Sequence, residues 1–161
     1  MIVNLEPLFN NEGYTEAFDY KLDLSELSEA TATPAVVRGE VKNSAGVVTL
    51  KALCEFTYSA PCDRCGTQVE RPMSVPVEHC LIGSLNDSEN DDGYYVVVSE
   101  MRLELNEVIR EDVLLSLPAK FLCSPECKGL CQLCGCDLNV SQCNCKKPID
   151  PRLEGLLQFL E

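Results

Sequence analysis

Eleven of the 161 residues are cysteine, and two runs share one pattern: Cys62-Asp-Arg-Cys65-Gly66 and Cys131-Gln-Leu-Cys134-Gly135. A Cys-x-x-Cys turn followed by glycine has the form of a zinc knuckle. The turn aims two thiolates at one ion, and the glycine allows the positive φ that turns backbone N–H groups toward the sulfurs. Each pair supplies half of a tetrahedral site. The tail offers two further halves, Cys123-x-x-x-Cys127 and Cys143-x-Cys145. One grouping joins Cys131 and Cys134 to Cys143 and Cys145. It leaves Cys123 and Cys127 for Cys62 and Cys65, and it satisfies both knuckles. The competing grouping is a tail-only site of Cys123, Cys127, Cys131 and Cys134, with Cys62 and Cys65 vacant or redox-active. One or two structural ions are therefore expected, with Cys54, Cys80 and Cys136 left over. Neither ferredoxin spacing is present, so zinc is favoured over an iron–sulfur cluster. Every candidate site is closed by four thiolates, which suits a structural ion and not metal-assisted hydrolysis.

Other residues offer little chemistry. His79, the single histidine, falls in phase with the apolar face of a predicted strand. No carboxylate or nucleophile motif accompanies it, so it reads as a partly buried structural residue. The acidic run Asn86–Gly93 lacks the spaced oxygens and distal glutamate of an EF-hand, and reads as a solvated loop. No catalytic residue is expected, and the protein is read as a non-enzyme. The alternative is a thiol-redox protein using Cys62-Asp-Arg-Cys65, for which no preceding βαβ unit is visible.

Cysteine usage also bears on compartment. The N-terminus has no basic n-region and no long apolar core, and no run approaches the length of a membrane span, so neither export nor membrane insertion is expected. Clustered thiols in a reducing cytoplasm usually bind metal rather than pair as disulfides. The formal charge of −13 opposes broad phosphate binding. It is unevenly spread: residues 118–152 carry a local +2 and the remainder −15. A mostly acidic body with a less acidic, cysteine-rich end suits a basic protein partner and would touch RNA only locally. Lys128, Lys146, Lys147 and Arg152, with Arg64, form the expected contact surface. No small-molecule substrate is expected.

The elements that must position these groups are mainly strands. Tyr14 to Leu24 alternates at Phe18, Tyr20, Leu22 and Leu24 and predicts a strand with one buried face, followed by a loop or helical turn over Ser25–Ala35. Two more strands span Val36 to Tyr58 around a turn at Asn43–Gly46, the second with Leu50, Ala52, Cys54, Phe56 and Tyr58 on one face. Cys54 is then a small core residue. Thr67 to Ile82 predicts a long strand with Val69, Met73, Val75, Val77 and Leu81 in phase. Pro72 and Pro76 make it an edge or bent strand. Its hairpin turn, Pro61–Gly66, holds the first knuckle. Tyr94–Val98 predicts another strand and Arg102–Leu105 a further one. Asn106 is the expected N-cap of a helix over Glu107–Leu117, with Leu105, Val108, Ile109, Val113, Leu115 and Leu117 on its apolar side. Pro118 stops it. Asp150-Pro151 begins a short terminal helix with a Leu153, Leu156, Leu157 and Leu160 stripe. The expected fold is α+β: a mainly antiparallel β meander or partly open barrel with one central helix, a cysteine-rich zinc-binding tail and a short C-terminal helix. The boundary is expected between a β-rich core over 1–117 and the cysteine-rich segment over 118–161, packed on that core.

Taken together, several stretches resemble the bacterial YceD family, the large ribosomal RNA subunit accumulation proteins. They are Cys62-Asp-Arg-Cys65 after a long strand, a helix running into Leu117-Pro118, the run Cys127-Lys-Gly-Leu-Cys131-Gln-Leu-Cys134-Gly-Cys-Asp-Leu-Asn139, and Asp150-Pro151-Arg152-Leu153. The similarity runs from about Phe18 to the C-terminus, and Cys136 departs from the usual pattern. The resemblance implies a non-enzymatic role in the synthesis, processing or stability of 23S rRNA. It also implies a small basic zinc-binding ribosomal protein as a partner.

Overall fold

The computed structural model describes residues 1–25, 31–32, 34–83 and 95–145. The chain divides into two compact units, Met1–Ala60 with Glu70–Ala119, and Pro61–Val69 with Lys120–Glu161. The hairpin tip at 61–69 belongs with the cysteine-rich unit, because its own contacts are made there.

The first unit is built on a sheet. β2 (Thr15–Leu22), β4 (Ala35–Ser44), β5 (Val47–Pro61), β6 (Gln68–Ile82) and β7 (Tyr95–Val97) lie in that order, and β3 (Thr31–Ala32) pairs separately with β5. Alternation sets the buried face: Phe18 and Leu22 on β2, Val37 and Val41 on β4, Leu50, Cys54 and Phe56 on β5, and Val75, Val77 and Leu81 on β6 all enter one core. β2 runs antiparallel to β4, with Phe18 opposite Gly39, and β4 antiparallel to β5, with Val37 opposite Cys54. The path is open, ending on β2 and β7.

Two features depart from a meander. β7 joins β6 in parallel, with Leu81 opposite Val96. Residues 83–94 give this crossover the dozen residues that a parallel return requires. This pairing covers only Cys80–Ile82 of β6, so Pro72 and Pro76 lie where a missing N–H costs no second ladder. The other departure is a separate two-stranded sheet, β1 (Ile2–Asn4) antiparallel to β8 (Arg102–Glu104).

Two α-helices are present among the described residues, where one was expected. α1 (Glu6–Asn10) has Pro7 in its first turn and buries Leu8 in the core. α2 spans Leu105–Ser116. It begins earlier than Asn106 would dictate, because the residue before β1 supplies a partner: the Leu105 N–H donates to the Met1 carbonyl. Asn106 is thus inside the first turn, and its buried Oδ1 has no hydrogen-bond partner. Leu105, Ile109 and Val113 form the buried stripe, whereas Leu115 is 83% exposed and not part of it. Among the described residues no helix is long and apolar enough to cross a membrane. The acidic run Asn86–Gly93 and the terminal segment with Leu153 and Leu160 lie outside the described residues.

Candidate metal centres

The first centre is assembled at the β5–β6 hairpin tip. Gly66, at φ +74°, lets the chain close on itself, and its N–H donates to the Cys62 carbonyl at 2.8 Å. Asp63 then pins the tip to the segment that carries Cys123. Its N–H donates to the Phe121 carbonyl at 2.9 Å, and its carboxylate accepts the Phe121 N–H at 2.6 Å. Arg64 Nη1 donates to the Cys127 carbonyl at 2.7 Å, and the Arg64 carbonyl accepts the Leu130 N–H at 3.2 Å. Gly129 sits against this backbone at φ +73°, where a Cβ would lie 2.9 Å from the Arg64 carbonyl oxygen.

Those pins bring four sulfurs together. Cys62 Sγ lies 3.8 Å from Cys127 Sγ, and Cys65 Sγ lies 3.7 Å from Cys123 Sγ. All four sulfurs are within 4.8 Å of one another. Cys62, Cys65 and Cys127 are buried, and Val69 and Leu122 pack against them.

The second centre is folded from the tail alone. Gly135 repeats the knuckle, with φ +72° and an N–H donating to the Cys131 carbonyl at 2.9 Å. The Leu133 N–H faces Cys131 Sγ at 3.5 Å. The Cys131 N–H donates to the Cys136 carbonyl at 2.8 Å, closing the loop. The sulfurs of Cys131, Cys134, Cys143 and Cys145 again lie within 4.8 Å of one another. The structure thus gathers the eight cysteines as two groups of four, and it does not form the tail-only set of Cys123, Cys127, Cys131 and Cys134. None of the eleven cysteines is in a disulfide.

The electrostatics fit a cation. Burial pushes the Cys62 thiol up, but backbone N–H groups of Cys123, Arg64 and Cys65 overcome that and hold it at about 6. Backbone N–H groups of Cys134 and Leu133 likewise hold Cys131 at about 6. Cys123 and Cys145 are pushed up to about 12, first by sharing a proton with the sulfurs of Cys127 and Cys134 respectively. Four crowded sulfurs cannot all ionise without positive charge among them. A closed set of four sulfurs at tetrahedral edge lengths, with no disulfide, fits a thiophilic divalent ion.

Asn139 was not singled out from the sequence, yet it spans the two centres. Its Nδ2 donates to Cys127 Sγ at 3.4 Å, and its Oδ1 accepts the Lys128 N–H at 2.8 Å. Its own N–H is held by Asp137 Oδ1 at 2.8 Å, inside the loop of the second centre. The signal available was its place after the knuckle, at the end of Cys136-Asp-Leu-Asn139. Of the five expected contact cations, Lys128 is exposed. Arg64 already has a hydrogen bond to the first centre, and Lys146, Lys147 and Arg152 lie outside the described residues. His79 does have a carboxylate partner, contrary to expectation: Nε2 is 2.7 Å from Asp112 Oδ2 on α2, with both side chains 19% exposed. Cys54 is buried in the sheet core, and burial raises its thiol to about 11.

A β-rich chain with two four-cysteine groups, one shared between a hairpin tip and the tail and one within the tail, is a class defined by those groups. The chain belongs to the family described as "Large ribosomal RNA subunit accumulation protein YceD", whose family model matches residues 50–160 and so spans both groups. Among relatives, it is 26% identical over 151 residues to the uncharacterised protein YlbN of Bacillus subtilis, covering 89% of this chain and 87% of that one. It is 32% identical over 68 residues to the chloroplastic large ribosomal RNA subunit accumulation protein YCED homolog 1 of Zea mays, covering 42% of this chain but 23% of that protein. It is also 29% identical over 110 residues to the uncharacterised protein Rv2926c of Mycobacterium tuberculosis, covering 65% and 53% of the two chains. No solved structure matches.

Proposed function

We propose that this protein is a non-enzymatic cytoplasmic factor for accumulation of 23S rRNA, acting in assembly of the large ribosomal subunit. The observation that carries the reading is the family match over residues 50–160, which contains all eight grouped cysteines. Cys62, Cys65, Cys123 and Cys127 would hold one zinc ion, and Cys131, Cys134, Cys143 and Cys145 a second. Bound there, zinc supplies structural cross-links. The chain's own residues do the rest: Asp63 and Arg64 fix the hairpin tip to the tail, and Asn139 orients Cys127. The acidic charge of −13 fits a basic ribosomal protein on the assembly intermediate. Lys128, Lys146, Lys147 and Arg152 would make the local contacts to it or to rRNA.

The test is depletion of the protein in its native host, reading the 23S to 16S ratio and the large-subunit peak on a gradient. A fall in both, restored by the intact chain but not by one with those four cations reversed to glutamate, supports the reading. An unchanged ratio sinks it. The thiol-redox alternative is decided by metal content after anaerobic purification. Near two zinc per chain with unreactive thiols excludes it, and metal-free protein with a labile Cys62–Cys65 disulfide would replace the proposal.

A further inference from the structure

A cleft of about 650 Å3 opens in the first unit between β1, α1 and the turn that enters β8, a volume within the range of ligand sites. Its lining follows from strand alternation. Val3 and Leu103 face each other across the β1–β8 ladder and are buried, so the paired Asn4 and Arg102 share the opposite, exposed side. Glu6 and Asn10 stand four residues apart on α1, and thus on one side of that helix. Apolar walls come from Phe9, from Ile2 at 64% exposure and from Met101 at 38%.

The wall that carries Glu100 and Met101 is held in a costly backbone. Both have positive φ, +57° and +55°, and neither is glycine. The ladder holds them there, since the Met101 carbonyl accepts the Leu5 N–H at 2.8 Å. Glu100 thereby lines the same cleft as Glu6. Among the described residues neither carboxylate is in an ion pair, although Arg102 lines the cleft too. The Asn4 amide has its oxygen engaged by the Glu6 N–H at 3.1 Å, which leaves its NH2 group to donate. The cleft therefore offers two uncompensated carboxylates, amide groups and an apolar surface.

We propose that this cleft docks a basic peptide segment of a partner protein, with a lysine or arginine side chain held by Glu6 and Glu100. The proposal rests on the reading that the acidic body meets a basic protein, and it gives that meeting a place in the first unit. A long cationic side chain matches both halves of the lining. Its head pairs with the carboxylates, and its apolar stem lies on Ile2, Phe9 and Met101. The amides of Asn4 and Asn10 pair with the backbone of the segment, and Arg102 donates to one of its carbonyls. A nucleic-acid strand would instead bring phosphates against both carboxylates, in a chain of net charge −13.

Fluorescence anisotropy on the full chain tests this with three labelled probes: a short peptide of alternating lysine and leucine, its glutamate-for-lysine counterpart, and a single-stranded RNA oligonucleotide. The lysine peptide is expected to bind, more weakly as salt rises, and the other two are not. Glu6→Gln with Glu100→Asn should weaken the lysine peptide about tenfold, as loss of two charge pairs at an open site implies. Glu40→Gln with Glu70→Gln removes the same charge from two exposed positions outside the cleft and should leave the affinity unchanged. Asparagine tolerates the left-handed backbone, so Glu100→Asn should raise the denaturation midpoint while it lowers affinity, which separates lost binding from lost folding. Equal weakening by the two pairs overturns the cleft and leaves a diffuse acidic surface that still suits a basic partner. A lysine peptide that does not bind the wild-type chain overturns that reading and the cleft with it. Binding of the oligonucleotide in place of the peptide, lost in Arg102→Glu, overturns the proposal in favour of RNA.

Discussion

Asn139 shows how a single amide can serve two sites. Its NH2 group lies on Cys127 Sγ at 3.4 Å, and its position is set from the loop of the other centre. Hydrogen bonds to a ligating sulfur lower its basicity and hold its direction, and losing such a partner costs about 10–100-fold in metal affinity. Asn139→Ala is therefore expected to weaken the first ion by that factor, read by chelator competition. Asn139→Asp should weaken it at least as much, since a carboxylate accepts where the amide donated. Equal affinities for wild type and both variants would show the contact to be incidental. Gly129→Ala makes a related point in the backbone. At φ +73°, with the Arg64 carbonyl 2.9 Å from the position a Cβ would take, the change should cost about 2 kcal/mol of stability and loosen both centres together. A denaturation midpoint and a zinc titration on the same sample check both halves. The eight grouped cysteines were legible because metal ligation is written in short spacings. Asn139, Asp63 and the Asp112 partner of His79 were not, because each acts on a residue 12 to 58 positions away in the chain.

The legible elements are those whose period is long enough to see. β4, β5 and β6 have 10, 15 and 15 residues, and their alternation announces both strand and buried face. α1 has five residues, too few for a helical period, although Leu5 and Leu8 are both fully buried. The start of α2 lies before Asn106 because a distant backbone carbonyl, that of Met1, and not a side chain, accepts the Leu105 N–H. The parallel placing of β7 is a property of the crossover and leaves no mark on three residues. Turn chemistry gives a prediction at this scale. The β4–β5 connection is a two-residue turn with Ala45 at φ +54° and Gly46 at φ +82°, the twist that favours Asn-Gly. Alanine is strained there, so Ala45→Asn should stabilise the first unit by about 1 kcal/mol, seen as a raised denaturant midpoint with unchanged slope. The buried Asn43 beside it must stay: its Nδ2 donates to the Leu8 carbonyl at 2.7 Å and its Oδ1 accepts the Gly46 N–H. Asn43→Leu should cost about 1–3 kcal/mol by stranding the Leu8 carbonyl.

The two units of the chain hold themselves together by different means. The first has a continuous apolar core from Val3 to Val113. Among its described residues the second has a small cluster made of Cys62, Cys65 and Cys127 with Val69 and Leu122 at its margin, which is too little apolar surface to offset the ordering of their backbone. Structural zinc supplies about 10–16 kcal/mol in small domains of this kind. Chelation at neutral pH should therefore abolish amide protection over 61–69 and 120–145 while protection in β4 and β5 persists. Unaltered exchange in the tail after metal removal would refute the assignment. The same division fixes the sign of the pH dependence. Cys123 and Cys145, at about 12, carry protons at neutrality and must release them on binding, so affinity should rise with pH through the neutral range. Cys62 and Cys131, at about 6, are already thiolates at pH 7 and compete with protons only as pH falls through that value. Zinc affinity should accordingly fall on acidification, and fall more steeply below about pH 6, where Cys62 and Cys131 take up protons as well and binding must displace them in addition to those on Cys123 and Cys145. An indicator-based zinc titration from pH 5 to pH 8 reads that steepening directly. A flat profile would mean that the sulfurs are not the ligands.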